Sequence, residues 1–427
     1  MPPKSGRVAS AVVVVVGGGV IGLSCALRLR QKGFYVVVLN TGEARDAASW
    51  GNAGHIATEQ VMPLASPRML LSAPGRMFTL TGGALDIGWR HIGTWLPWGM
   101  RYVRACAPST ARRGHMALRD LLSHAMPAWR RMVGDLGAPD LLIDKGHLML
   151  WDGTTDPRRA MRAVMSSDLG SATACAMTRQ ERESLIPLLG HIPRAGLAFG
   201  GTGQVRDPGL VLTTLQDRLR AETGCELRQQ RVIRVSSGPS GAQVIVQDGT
   251  SLTPDIVVMA AGVGTRDLVH GWTLPLIAER GYHIEWDHGG MPEGPPMVFA
   301  DHAVIVSRFE ARMRASTFVE FTRADAPPDM RKWQKLEHTV QKIGLPVRSG
   351  FSRWVGCRPT LPDYLPAIGR IPGLPGIIAA CGHQHLGLTL APFTAEIVTA
   401  IATDEDISLN LHPFRPDRFG RTHARKV

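Results

Sequence analysis

Five consecutive valines, Val12–Val16, stop against Gly17-Gly18-Gly19-Val20-Ile21-Gly22, after which Leu23 to Gln31 repeats its apolar positions with helical spacing. A β-branched run this short is a strand rather than a helix, and a strand that turns sharply into a helix opens a βαβ unit. Gly17 permits the turn, Gly19 lets backbone approach a pyrophosphate, and Gly22 lets the helix sit close to the strand. Val20 and Ile21 place the first N–H groups of the helix beside the phosphates. Phe34 to Leu39 supplies the second parallel strand. The unit therefore reads as a dinucleotide cradle; the alternative is a glycine-rich turn with no ligand.

The residue ending the second strand is Asn40, where an acidic residue ordinarily grips ribose hydroxyls. Asn40 can still hydrogen-bond a hydroxyl, without the charge-assisted strength of a carboxylate unless Glu43 reaches back, and a neutral residue there argues against a 2′-phosphate. Farther on, Ala242 to Gln247 followed by Asp248-Gly249 reads as a hairpin. It leads into Asp255–Met259, an apolar strand ending in Ala260, Ala261 and Gly262, whose small side chains let backbone lie against a cofactor.

Length and composition exclude several classes. A chain of 427 residues with 44% apolar residues builds two or three domains with real cores. Charged residues are only 20%, with 47 glycines and 30 prolines, which suits a loop-rich globular enzyme rather than a disordered or coiled-coil chain. The net charge of +12 draws the protein to anionic surfaces, yet the arginines are scattered and no zinc-finger spacing occurs, so no nucleic-acid partner is expected. Six widely separated cysteines without a Cys-x-x-Cys pair read as reduced cytosolic thiols. Met1 to Val16 has the charge pattern of a signal peptide, but the apolar run is short and lacks a cleavage site, so a buried strand is the better reading. No uninterrupted apolar stretch is long enough to span a bilayer, and no internal repeat is visible.

Further segments complete a pattern. Ala48-Ser49-Trp50-Gly51-Asn52-Ala53-Gly54-His55 follows the first unit. Trp354-Val355-Gly356-Cys357-Arg358-Pro359-Thr360-Leu361-Pro362-Asp363 precedes Pro366, Ile368 and Gly369, and then comes Gly382-His383-Gln384-His385-Leu386-Gly387. In this order the chain resembles, nearly end to end, the FAD-dependent amine oxidoreductases of the D-amino-acid oxidase and glycine oxidase type, most closely bacterial D-amino-acid dehydrogenases. The resemblance implies an α/β fold in which a Rossmann-type FAD-binding domain joins a discontinuous mixed-sheet α+β substrate domain. The expected boundaries are 7–60, 202–272 and 350–410 for the FAD-binding domain, 61–201 and 273–349 for the substrate domain, and a basic tail over 411–427.

It also implies that Ser49, Asn52, Ala53 and Gly54 lie along the isoalloxazine ring, where Gly51, Ala53 and Gly54 allow close approach. Gly382, His385 and Gly387 form a turn onto the helix-like Leu390 to Ala402, with Pro392 in its first turn, and the N-terminal dipole of such a helix suits the negative charge of a reduced flavin. FAD is expected to be held non-covalently: Gly51 stands where relatives with a tethered flavin carry histidine, although Cys357 and Cys381 offer thiols.

The chemistry implied is oxidative deamination, with hydride passing from the substrate Cα to flavin N5, so the protein must orient one C–H bond and grip a carboxylate. Arg358, in its Gly-x-Arg-Pro setting, is the expected carboxylate ligand; the alternative is an Arg358–Asp363 pair that locks a loop. Tyr282, in Glu279-Arg280-Gly281-Tyr282-His283-Ile284, either helps hold that carboxylate or is a half-buried sheet aromatic. His55 and His383, with His385, are placed to hydrogen-bond the amine or tune its protonation. No metal is expected, because the spacing offers these histidines no Cys or carboxylate partner.

The resemblance implies a small D-amino acid as substrate, and Gly51 to Pro67, with Glu59-Gln60-Val61 and Pro63 to Pro67, resembles the branch of these dehydrogenases that acts on D-proline or cis-4-hydroxy-D-proline. Between Trp89 and Arg131, Trp89, Trp95, Trp98 and Trp129 alternate with arginines. Such a surface would rest on anionic lipid and pass electrons to quinone or the respiratory chain; plain packing of helices on the substrate sheet is the competing reading. The expected location is cytoplasmic, with peripheral contact at the inner face of the membrane. The alternatives are a glycine or sarcosine-type oxidase using oxygen, and a flavin-holding subunit of a multi-subunit dehydrogenase.

Overall fold

The computed structural model describes residues 11–42, 44–153, 156–238, 241–290 and 293–420; Glu43 and the last seven residues of the basic tail lie outside them. The opening strand forms as Val12–Val16, followed by a helix over Val20–Gln31 and a parallel strand over Tyr35–Asn40. These three elements begin a six-stranded sheet. Its order places Cys225–Gln229 outside Tyr35–Asn40, and Ile256–Met259, Ile377–Cys381 and Ala367–Arg370 on the other side of the first strand. Every pairing is parallel except the last, so the central strands are covered on both faces and carry unbroken apolar runs.

The helix Val20–Gln31 is buried along most of its length because it lies between this sheet and the C-terminal helix Gly387–Thr403. That second helix, with its lead-in from Gln384, is long and apolar enough to cross a membrane, but 67% of its apolar window is buried within the protein. It is a core helix, apolar on all sides because all sides are covered. It starts at Gly387, so Pro392 lies in its interior and not in the first turn as expected. A proline there leaves the carbonyl four residues back without its helical donor. That carbonyl, on Leu388, accepts instead from the indole Nε1 of the fully buried Trp129 at 3.1 Å.

The second layer is a nine-stranded mixed sheet. Ile277–Asp287 is flanked by Ser352–Thr360 and Arg312–Phe321, and the sheet continues through Val304–Arg308, Met297–Phe299, His147–Trp151, Ala195–Gly200 and Thr173–Ala176. Ser352–Thr360, grouped above with the FAD-binding segment 350–410, is thus an edge strand of this large sheet. A small three-stranded sheet (His55–Ile56, Gly203–Val205 and Leu142–Ile143) joins the two layers. The hairpin reading of 242–249 is met by Gly241–Val246 paired antiparallel with Ser251–Leu252. All six cysteines are free.

The four tryptophans between Trp89 and Arg131 do not share one surface. Trp129 is core, Trp98 is buried with its Nε1 donating to Thr360 O at 3.2 Å, and Trp95 donates to Gly88 O at 3.0 Å. Only Trp89 is largely exposed.

Candidate active site

One cavity of about 1110 Å³ runs from the first βα turn to the large sheet. At one end, Gly17 has φ +115° and Gly18 lies against the Asn40 side chain; a Cβ on Gly17 would collide with the Ala260 carbonyl, and one on Gly22 with the Gly17 carbonyl. The turn can therefore be built only from glycine, and it exposes backbone N–H groups at a helix start, which is the shape a dinucleotide pyrophosphate requires. The hydroxyl of Ser49 accepts from Val20 N at 3.1 Å and fastens the next loop to this helix start. Asn40 lines the cavity, with its Oδ1 accepting from Thr41 N at 3.0 Å and its Nδ2 donating to Gly42 O at 3.0 Å. The residues present thus fit FAD.

Gly17, Gly19, Val20, Ile21, Ser49, Asn52, Ala53, Ala261, Gly262, His385 and Gly387 all border the cavity. Gly22, Gly54 and Gly382 do not. They act one layer behind: Gly54 and Gly382 have positive φ, and a Cβ would meet Phe309 and Leu361 respectively.

The loop from Trp50 to Gly54 is held by side chains of the large sheet. Arg314, completely buried, donates to the carbonyls of Trp50 (2.8 Å) and Asn52, and pairs with Glu285 at 2.6 Å. His283 Nδ1 donates to Gly51 O at 3.2 Å, and Ser307 Oγ donates to Ala53 O at 2.5 Å. Burial holds the His283 imidazole well below its usual pKa, and the Arg314 cation beside it reinforces the shift. It also stacks on Trp354 at 4.7 Å, and the Trp354 indole fills the space that a side chain on Gly51 would need. Four consecutive carbonyls are thereby occupied, which fixes the loop. Sequence reasoning missed Arg314, His283 and Ser307. The alternation Arg312-Met313-Arg314 signals one charged strand face, but nothing local ties that face to residues 50–53.

At the far end Arg358 reaches across Gly281, where a Cβ would collide with its guanidinium. Its Nη1 donates to Glu279 Oε1 at 3.2 Å and to the Phe318 carbonyl at 3.0 Å. Glu279 is 1% exposed and also accepts from Thr360 Oγ1 at 3.1 Å and the Tyr364 hydroxyl at 3.0 Å. The suggested Arg358–Asp363 pair does not form; Asp363 pairs with Arg418 at 2.7 Å. Both Arg358 contacts use Nη1, and the side chain borders the cavity.

Tyr282 borders the cavity, but its hydroxyl donates to Glu320 at 2.8 Å and so is not directed to a substrate carboxylate; it is fully rather than half buried. Glu320 belongs to a buried charge cluster, with Lys332 at 2.5 Å and Arg280 at 3.3 Å, and Lys332 also meets Asp86 at 2.6 Å. His383 bonds Thr394 Oγ1 at 3.0 Å. Burial lowers His383 to about 3; burial, together with the Arg358 cation, lowers His385 to about 3. Both imidazoles are neutral at physiological pH and act as hydrogen-bonding groups rather than cations. Burial raises Cys381 to about 12 and pushes Cys357 up, so neither is a ready thiolate for a covalent tether.

Strain gathers here. Gln384, Phe318 and Ala303 have φ values of 49°, 70° and 51° and border the cavity, and Tyr364, whose carbonyl accepts from Gln384 Nε2, has 57°. A non-glycine residue in this region costs about 1–3 kcal/mol, and such residues cluster where geometry serves binding.

His55 is buried, with its ring centroid 4.5 Å from that of His147 and the two rings tilted by 58°. Glu59 Oε2 lies 3.8 Å from His55 Nε2. The carboxylate partner whose absence argued against a metal is therefore present, one helical turn's worth of sequence after His55, and His147 arrives from a distant strand.

A family profile described as FAD dependent oxidoreductase, DAO, matches residues 13–401. A D-amino-acid oxidase of Bradyrhizobium diazoefficiens is 27% identical over 95% of this chain and 98% of its own length. A D-amino acid dehydrogenase 2 of Pseudomonas aeruginosa is 26% identical over 89% of this chain and 92% of its own. Among solved structures, glycine oxidase from Geobacillus kaustophilus superposes with a TM-score of 0.71 at 19% identity, covering 96% of this chain and 99% of that one.

Proposed function

The chain belongs to the FAD-dependent oxidoreductases of the DAO family, and from that premise we propose that it oxidises a small D-amino acid, with a leaning toward D-proline or cis-4-hydroxy-D-proline. Bound without a covalent tether, FAD supplies the hydride acceptor at N5. The chain's own residues do the rest. Gly17 to Ile21 and Asn40 hold the dinucleotide end, and the loop Ser49–Ala53, immobilised by Arg314, His283 and Ser307, supports the ring.

The observation that carries the substrate reading is that Arg358 borders the same cavity as the glycine turn, with Glu279 fixing its orientation. A guanidinium so held grips a carboxylate in a fixed direction, which orients the adjacent Cα–H. Neutral His383 and His385 add no competing charge. Met62, Leu64, Ala84 and Val319 give the rest of this end an apolar lining suited to a small aliphatic or ring side chain.

For the electron acceptor we propose quinone, at the inner face of the membrane. Support comes from the helix Ile92–Ala105: Ile92, Leu96, Met100 and Val103 recur on one face and are 43–55% exposed, with Trp89 beside them and Arg90, Arg101 and Arg104 also exposed. An apolar stripe with flanking arginines suits an anionic lipid surface. The oxidase reading, with oxygen as acceptor, is the competing outcome.

An anaerobic screen of D- and L-amino acids against the yellow holoprotein tests the reading. D-Proline, cis-4-hydroxy-D-proline or D-alanine should bleach the flavin, and a water-soluble quinone should restore the colour faster than air does. Arg358→Ala should raise KM by the equivalent of about 2–5 kcal/mol, with Arg358→Lys intermediate. Unaltered KM in Arg358→Ala rejects the assignment, and bleaching by L- but not D-amino acids rejects the substrate class.

A further inference from the structure

His55 opens the small strand His55–Ile56, Glu59 follows on the next turn, and His147 begins a strand of the large sheet. The three side chains meet so closely that one ligand atom from each, two imidazole nitrogens and a carboxylate oxygen, lies within 4.8 Å of the others. His55 Nε2, Glu59 Oε2 and His147 Nε2 are all buried and all without a hydrogen-bond partner. The 3.8 Å between His55 Nε2 and Glu59 Oε2 is too long for a hydrogen bond. Three orphaned polar atoms converging on one point cost about 1–3 kcal/mol each unless something fills the point.

We propose that His55, Glu59 and His147 form a binding site for one divalent transition-metal ion of the zinc class. Two imidazoles and a carboxylate are a donor set that zinc accepts, and ligand atoms within 4.8 Å of one another need draw together by about 1 Å, within reach of side-chain rotation, to sit about 2.0–2.2 Å from a central ion. The surroundings match what a ligating histidine needs. His147 Nδ1 is bonded to the fully buried Thr202 Oγ1 at 2.9 Å, which orients the ring and leaves Nε2 as the ligating atom, and Phe199 stacks on the ring at 4.2 Å to hold its plane. His55 and Glu59 border the large cavity while His147 does not. The protein thus closes three positions, and the fourth opens toward the cavity. A zinc ion there would present an electrophilic site to an anionic or neutral-donor ligand, at a point separate from the Arg358 guanidinium. The site stands on these three side chains alone and holds whichever amino acid is oxidised.

Chelator-treated holoprotein titrated with ZnCl2 and CoCl2, then desalted and assayed for metal by mass spectrometry, tests the site. One ion per chain is expected, with none retained from MgCl2, since this hard cation prefers an all-oxygen shell. Glu59→Gln and His147→Gln should each weaken zinc binding at least about tenfold, and Thr202→Val by a smaller factor in the same direction. Zinc should raise the melting temperature of the wild type and leave both ligand variants unmoved. Flavin absorbance per chain reports whether each variant is folded, and should His147→Gln fail that check, Glu59→Gln, a near-isosteric change on a turn outside the sheets, carries the measurement. Substoichiometric uptake by the wild type overturns the proposal. So does full uptake by folded variants, which places the ion elsewhere, and so does a metal-free Glu59→Gln more stable than wild type alongside no zinc uptake, which makes the triangle a packing defect.

Discussion

The two ends of the cavity are built on opposite principles. The end under the six-stranded sheet has no ion pair in its wall among the described residues: glycines, valines and small residues expose backbone N–H groups, and specificity lies in what is missing, the Cβ atoms of Gly17 and Gly18. The end under the large sheet is made of buried charge. Arg358 with Glu279, Arg314 and Arg312 with Glu285 and Asp207, and Lys332 and Arg280 with Asp86 and Glu320 form three balanced clusters along neighbouring strands. A ligand that is large and flat can be recognised by shape and main-chain dipoles, whereas a small zwitterion offers little area and must be recognised by charge. The price of the second solution is that every buried ion must have its partner.

The contrast can be broken most severely at Lys332, which is 0% exposed and bridges Asp86 and Glu320. Lys332→Met takes the cation from buried Asp86 and leaves Glu320 with Arg280 and the Tyr282 hydroxyl, and chemical denaturation should show a loss of about 3–5 kcal/mol. A change in the cofactor end of similar size in volume should cost less in stability and more in colour. Gly17→Ala adds one methyl against the Ala260 carbonyl at a φ that alanine resists, so overpacking and strain together weaken FAD retention by about 3 kcal/mol. Absorbance near the flavin maximum, relative to protein, should fall while the large sheet's melting transition persists.

The comparison sharpens at His383, which joins the two ends. Burial lowers its pKa from 6.5 to about 3, so the unfolded chain binds the proton first as pH falls. The stability contributed by the neutral ring is therefore complete above pH 6.5 and is lost progressively down to pH 3. Between pH 6.5 and 5 that amounts to about 2 kcal/mol. Thermal melts of wild type and His383→Asn across this range should diverge, the variant showing the shallower pH slope; parallel curves would mean that the ring is protonated in the fold.

The same contrast explains which parts could be read from the sequence. The glycine turn, the strands on either side of it and the small residues after Met259 are contiguous, and their spacing alone determines the geometry. Arg358 was also legible as a cavity residue, because its neighbours in sequence single it out. Its partner was not: Glu279 stands 79 residues away and reaches Arg358 only because Ile277–Asp287 and Ser352–Thr360 pair in one register. Tyr282 was misread for the same reason, since the acceptor of its hydroxyl, Glu320, arrives on a third strand. Pro392 was misplaced because a proline normally marks a helix start, and only Trp129, 259 residues from the carbonyl it satisfies, makes an interior proline tolerable. Asn40 was legible as a departure, whereas its suggested helper Glu43 lies outside the described residues.

The clamp that Arg314 places on the carbonyls of Trp50 and Asn52 has a mechanical consequence. Since the loop Trp50–Ala53 is riveted to the large sheet by desolvated hydrogen bonds, the two layers cannot swing apart like jaws without tearing several of them at once. The helices Pro67–Arg76 and Phe78–Thr81 contain no buried residue, and Arg68 and Arg76 border the cavity from the first of them. Those two short helices are the least anchored part of the cavity wall among the described residues, and they leave Leu71 and Leu80 81% and 69% exposed.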